Sequence, residues 1–178
     1  MNKIYFAHPV NIYGEPLEDE LAKLIANVLT GGDLFQVENP NQPCHQEGYD
    51  EYARRLKESG TDHKGMNYFY DKILPNCSGC VGVPFLDGRF GLGVAGEMRW
   101  FIEREKPVSV AHPLSGRFLI RPISVMEGIA IMSGDTKLVV SHEETRLRTW
   151  KVYNQIRRPY EEAHLVTMPV PVDFYPKG

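Results

Sequence analysis

Short apolar runs alternate along this chain with longer stretches in which apolar residues recur every three or four positions, and that alternation predicts an α/β sheet. Ile4 to Ala7 reads as the first strand. Leu17, Leu21, Leu24, Ile25 and Val28 fall at helical spacing and predict a helix from Pro16 to Thr30, stopped by Gly31-Gly32. Leu34 to Val37 reads as a second strand, and Glu38 to Gly48, rich in Pro, Asn and Gln, as a loop. Helical spacing returns over Tyr49 to Lys57 and Met66 to Leu74. Val81 to Pro84 then has the character of a buried strand, followed by the turn Leu86-Asp87-Gly88-Arg89. A glycine-rich segment, Gly91 to Glu97, enters a helix running to about Glu105. Pro107 to Ala111 and Lys137 to Val140 read as further strands, Ser141-His142-Glu143-Glu144 as a capping box opening a last helix, and the tail from Pro169 as extended.

The glycine-rich helix carries an acid among its apolar residues. Val94, Met98, Phe101 and Ile102 form an apolar stripe, and Glu97 lies on that stripe. A carboxylate facing a core is costly unless it is paired or placed at a cleft, so Glu97 is a candidate for chemistry. Its expected place in the first helical turn favours the ionised form through the helix dipole, which suits a nucleophile. Gly91, Gly93 and Gly96 also have the spacing of a dinucleotide fingerprint, but no acid stands at the end of the next strand, where Val110-Ala111-His112-Pro113 occurs. The glycines are better read as letting the backbone approach a small ligand.

Composition narrows the class. A chain of 178 residues with 42% apolar residues fits one domain, and a net charge of -3 provides no basic field for a nucleic-acid polymer. No apolar run approaches the roughly 18 residues of a membrane span, and no signal-peptide pattern opens the chain, so a cytoplasmic protein is expected. Cys77 and Cys80 form one C-x-x-C leading into a strand, with Cys44-His45 far from it across a loop; this predicts structural thiols and no metal. No cofactor is expected.

Four segments carry a resemblance to a known family: Ile4-Tyr5-Phe6-Ala7 followed by the loop His8 to Tyr13; Asp71 in Tyr70-Asp71-Lys72-Ile73; Gly91-Leu92-Gly93 followed by Glu97 and Lys106-Pro107-Val108; and Pro122-Ile123-Ser124-Val125-Met126. Between Ile4 and Met126 the chain resembles the nucleoside 2-deoxyribosyltransferases and the related N-glycosidases of deoxynucleoside 5′-monophosphates. The resemblance implies a single-domain α/β fold, flavodoxin/Rossmann-like, with a parallel sheet of about five strands and helices on both faces. It implies Glu97 as nucleophile at the anomeric carbon and Asp71 as the acid that protonates the departing base. Tyr5 is expected to stack on the base, with His8, Asp87, Arg89, Gly91, Gly93 and Ser124 around the substrate. The partners implied are a nucleoside or nucleotide, a free nucleobase, and further copies of the chain in a homo-oligomer whose Ser124 reaches a neighbour's site.

The chain departs from that pattern in places. Six residues before the nucleophile, transferases carry Asp and monophosphate glycosidases Ser, whereas Gly91 stands here. Ser124 replaces the transferase Asn, and the loop His8-Pro9-Val10-Asn11 lacks the Ser, Gly and Arg that cradle phosphate in the glycosidases. Transfer and hydrolysis, nucleoside and monophosphate, and a binding module without turnover all remain open at the level of sequence.

Overall fold

The computed structural model describes residues 2–30, 35–58, 67–114 and 117–157. Five strands form one sheet in the order β2-β1-β3-β4-β5. These are β1 (Asn2–Ala7), β2 (Phe35–Glu38), β3 (Gly79–Gly82), β4 (Val108–Leu114) and β5 (Arg117–Pro122). The first four are parallel, and β5 returns antiparallel to β4 as an edge strand. The helices are α1 (Pro16–Thr30), α2 (Pro43–Glu58), α3 (Leu92–Ile102), α4 (Val125–Ser133) and α5 (His142–Arg157), with a π-helical turn at Phe69–Ile73 between α2 and β3.

Strand alternation sends neighbouring side chains of β1 to opposite faces, and each face has its own core. Tyr5 and Ala7 join Cys80, Val94, Met98 and Phe101 under α3, while Ile4 and Phe6 join Leu21, Ile25 and Val81 under α1. Helices therefore cover both faces, as expected. The packing of α3 is close: a Cβ on Gly82 would stand 2.2 Å from Met98 Sδ, so only glycine lets the helix lie this near β3.

Three elements differ from the sequence reading. Lys137 to Val140 does not form a strand; Val139 makes a single parallel bridge to Phe90, and the fifth strand is Arg117–Pro122. The 137–140 run is apolar because Val139 and Val140 are buried, not because it joins the sheet. The expected loop over 38–48 is cut short because α2 already begins at Pro43, and proline is well suited to a first helical position, where no N–H donor is needed. The glycine-rich helix begins at Leu92 and ends at Ile102. The extended reading of the tail from Pro169 falls outside the described residues, among which no helix is long and apolar enough to cross a membrane.

The strand order has a direct consequence for binding. From β1 the chain turns to α1 and β2 on one side, and from β3 to α3 and β4 on the other, so the carboxyl ends of β1 and β3 flank a crevice where the connections diverge.

Candidate active site

A cavity of about 300 Å³ occupies that crevice, at the small end of ligand-site volumes. Its wall comes from His8, Pro9, Val10 and Tyr13 after β1, Phe85 after β3, and Gly91, Gly93, Val94 and Glu97 of the α3 entry. Tyr49 of α2, Phe69 of the π-turn, and Thr145 and Thr149 of α5 complete it. Aromatic rings dominate, with very few polar groups between them, an arrangement suited to a flat, mostly apolar ligand.

Glu97 is the carboxylate of this cavity, 6% exposed, and its Oε1 accepts a hydrogen bond from the Tyr5 hydroxyl at 2.8 Å. Burial pushes the carboxyl up to about 8, against the Tyr5 bond, which favours the ionised form. The expectation of a carboxylate held ionised by the helix dipole is thereby corrected. Glu97 is the sixth residue of α3, beyond the first turn where the dipole acts, and desolvation outweighs what remains of it.

Tyr5, expected to stack on the base, does not line the cavity. It is fully buried, and its ring packs against Phe101 at 6.3 Å. Burial and the adjacent Glu97 raise its hydroxyl far above the ordinary tyrosine range, so it stays a donor aimed at Glu97.

His8 lines the cavity with its nitrogens already engaged, Nδ1 with the carbonyl of Phe6 at 2.8 Å and Nε2 with Glu18 Oε1 at 3.1 Å. Its ring stacks on Phe6 at 4.0 Å. Glu18 also accepts from the Gly14 N–H, Asn39 Nδ2 and Asn41 Nδ2. Burial opposes its ionisation, yet the bonds from His8, Gly14 and Asn39 prevail and bring the carboxyl down to about 2. Glu18 therefore ties the loop after β1 to α1 and to the end of β2. His8 offers the cavity a ring held in place and no uncommitted nitrogen.

Asp71 lies outside the cavity. It is exposed on the π-turn and accepts a hydrogen bond from the Tyr52 hydroxyl, whereas Phe69, two residues earlier, points its ring into the wall. The wider π winding sets the directions of these neighbours, and such turns recur at functional sites. Tyr70 between them presses its hydroxyl against α3, where a Cβ on Gly96 would stand 2.6 Å away.

Asp87 and Arg89 form no part of the wall either. Asp87 accepts from Arg89 Nε at 3.0 Å and from Arg148 at 2.8 Å, and Glu144 accepts from Arg89 at 2.7 Å and from Arg148 at 2.5 Å. Burial opposes the charge on Asp87, but Arg148 and Arg89 outweigh it and bring its carboxyl down to about 2. Arg148 also lies 4.6 Å over the ring of Phe85. The two pairs cancel, and they fasten α5 to the loop after β3. The expected capping box is half formed: Ser141 Oγ accepts from the Glu144 N–H at 3.0 Å, while the Glu144 carboxylate turns to the arginines.

Ser124 is the N-cap of α4. Its Oγ accepts from the Glu127 N–H at 3.2 Å, and Glu127 Oε2 accepts from the Ser124 N–H in return, a complete capping box. Because β5 runs antiparallel and Pro122 pairs with Ser109 near the start of β4, Ser124 sits at the amino edge of the sheet, away from its own cavity. Gly91 and Gly93 are in the wall as expected, and nothing stands within 4 Å of a Cβ on Gly93. Cys77 and Cys80 are buried thiols, and the described residues contain no metal-ligating cluster.

Of the residues expected around the substrate, Glu97, His8, Gly91 and Gly93 line the cavity, as does Tyr13 at the end of the expected ligand loop His8 to Tyr13, whereas Tyr49, Phe69, Phe85, Thr145 and Thr149 were missed. Phe85 follows a strand end and was accessible to that reasoning. The contribution of α5 was not, since its return to the crevice depends on the Arg89–Glu144 pairing across 55 positions. Compared with family models, with curated proteins and with solved structures, the chain matches none of them.

Proposed function

We propose that the chain cleaves the N-glycosidic bond of a 2′-deoxynucleoside and passes the deoxyribosyl group to a second base, with Glu97 as nucleophile. The supporting observation is a buried carboxyl in an aromatic-walled cavity at the carboxyl ends of β1 and β3, with a tyrosine hydroxyl aimed at it. In the reacting form a Glu97 oxygen attacks C1′ as the C1′–N bond breaks. The base leaves with the bonding electrons and takes up a proton from solvent water, and an ester of Glu97 remains. A nitrogen of the incoming base then attacks C1′, gives its proton back to solvent and releases the carboxylate. Positive charge develops on the sugar at the transition state, and an ionised carboxylate in a dry cavity stabilises it more than water does. Tyr5 holds Glu97 in one rotamer and favours its anion.

The placement of Asp71 favours a second reading, a nucleotide-binding module without turnover, because no second carboxylate among the described residues lines the cavity to protonate a leaving base. Water as acceptor gives the third, an N-glycosidase. One assay separates them: 2′-deoxynucleosides incubated with and without a second base, with free base and new nucleoside both quantified. We expect base exchange, absent in Glu97→Gln. Free base without exchange selects the glycosidase, and binding without base release selects the module.

The partner in this proposal, besides the small molecules, is a second copy of the chain. Val125, Met126 and Ile129 are 80%, 73% and 56% exposed along one side of α4, an apolar surface beyond what a solitary helix commonly presents to water.

A further inference from the structure

Taking the proposed reaction as its premise, we infer that Thr145, supplied by α5 of the same chain, is the residue that recognises the 5′ oxygen of the sugar. The argument begins at Gly91, where a Cβ would stand 3.3 Å from the ring of Phe85 and 3.5 Å from Thr145 Cγ2. Glycine here removes a side chain, and α5 moves into the space. Thr145 Oγ1 then accepts the Leu92 N–H at 3.1 Å, at the start of α3.

Accepting that bond leaves the Thr145 hydroxyl proton without an acceptor among the described residues, on a side chain that lines the cavity. Thr149, the other threonine of the wall, spends its proton on the Thr145 carbonyl at 2.9 Å. Thr145 is therefore a donor held in place from behind, on a residue that lines the crevice.

Its position selects the part of the ligand it meets. Glu97 must lie at C1′ for the proposed chemistry. The rings of Tyr13, Tyr49 and Phe69 offer stacking surface to the base, and in the rest of the wall Phe85, Gly91 and Thr145 lie together at the start of α3, where of the two threonines only Thr145 keeps its proton. Gly91 and Glu97 are separated by about 9 Å of helix at 1.5 Å per residue, and glutamate side chains lean back toward the helix start. A furanose seated on Glu97 thus extends its exocyclic carbon toward Thr145. The shared ligand chemistry is an oxygen on C5′, borne by a hydroxyl or by a phosphate ester. The arginines beside this wall, Arg89 and Arg148, are both paired with Asp87 and Glu144.

The test measures kcat/KM for wild type, Thr145→Val and Thr145→Ser on 2′-deoxyadenosine, its 5′-monophosphate and 2′,5′-dideoxyadenosine. Val keeps the shape and removes the hydroxyl. With 2′-deoxyadenosine, Val should lower kcat/KM about tenfold, the scale of one lost neutral hydrogen bond, and Ser should restore it. With the 5′-deoxy compound the two variants should agree within about twofold. A monophosphate turned over faster than the nucleoside, with the same Val loss, assigns the oxygen to a phosphate ester; the reverse order assigns it to the hydroxyl. An equal loss on all three compounds, the mark of a purely structural Thr145, overturns the inference, as does no loss at all. If wild type releases no base, the N-glycosidic reading fails separately. The same contrast is then read from the rise in melting temperature that 2′-deoxyadenosine and its 5′-deoxy analogue induce in each variant. Identical rises, or none, overturn the inference.

Discussion

Glu97 and Tyr5 set the behaviour of the site at the scale of single residues. As the proposed nucleophile, Glu97 must be ionised, and a carboxyl that burial pushes up to about 8 gives a rate that climbs with pH. We expect kcat/KM for base release to rise from pH 6 and level off above about pH 8; a flat profile would remove Glu97 from that role. Tyr5→Phe keeps the packed ring and deletes the donor, so the rising limb should move up by about one unit, with activity at pH 7 lower by about tenfold. Stability follows the opposite sign. The folded-state value lies above the ordinary glutamate value of 4.5, so this contribution is fully present below 4.5 and is lost as pH rises through about 8. Thermal melts at pH 6 and pH 9 should therefore show wild type losing stability relative to Glu97→Gln at the higher pH, while Glu97→Gln releases no base at either.

Elements decide which polar residues reach the cavity. Ser124 is committed to the capping box of α4, and its replacement by Ala should cost about 1 kcal/mol in chemical denaturation, the usual scale of a lost N-cap. If Ser124 also serves a neighbour's site, activity should fall beyond what the lost stability explains; unchanged kcat/KM in the folded variant would confine it to the cap. On the π-turn, Asp71 is held outward by Tyr52, so Asp71→Asn should slow good and poor leaving bases alike, by no more than about twofold. A loss concentrated on poor leaving bases would restore Asp71 as the acid. The glycine-rich entry and the apolar stripe of α3 made Glu97 legible in the sequence, because helical periodicity is a local property. Tyr5 was read as a ring stacking on the base and not as a donor to Glu97, since its partner lies 92 positions away. The run 137–140 misled for a related reason: burial makes a segment apolar whether or not its backbone enters the sheet.

For the molecule as a whole, the order β2-β1-β3-β4-β5 fixes where the cavity lies, and the alternation of strand and helix makes an α/β architecture legible in the sequence. What could not be read was the antiparallel return of β5, which places the start of α4 at the edge opposite the cavity. The apolar side of α4 is the surface proposed to meet a second copy. Light scattering at micromolar concentration should find a dimer or larger, and Ile129→Asp should lower the mass to that of a single chain; an unchanged mass would place the interface elsewhere. The cavity wall itself joins the two ends of the described chain, His8 to Tyr13 after the first strand and Thr145 and Thr149 in the last helix. Since a chain emerges from the ribosome from its first residue onward, the sheet and Glu97 are available well before the wall is complete. A nascent chain can thus form its core while Glu97 still faces water, and the wall closes over that carboxyl only once α5 has emerged.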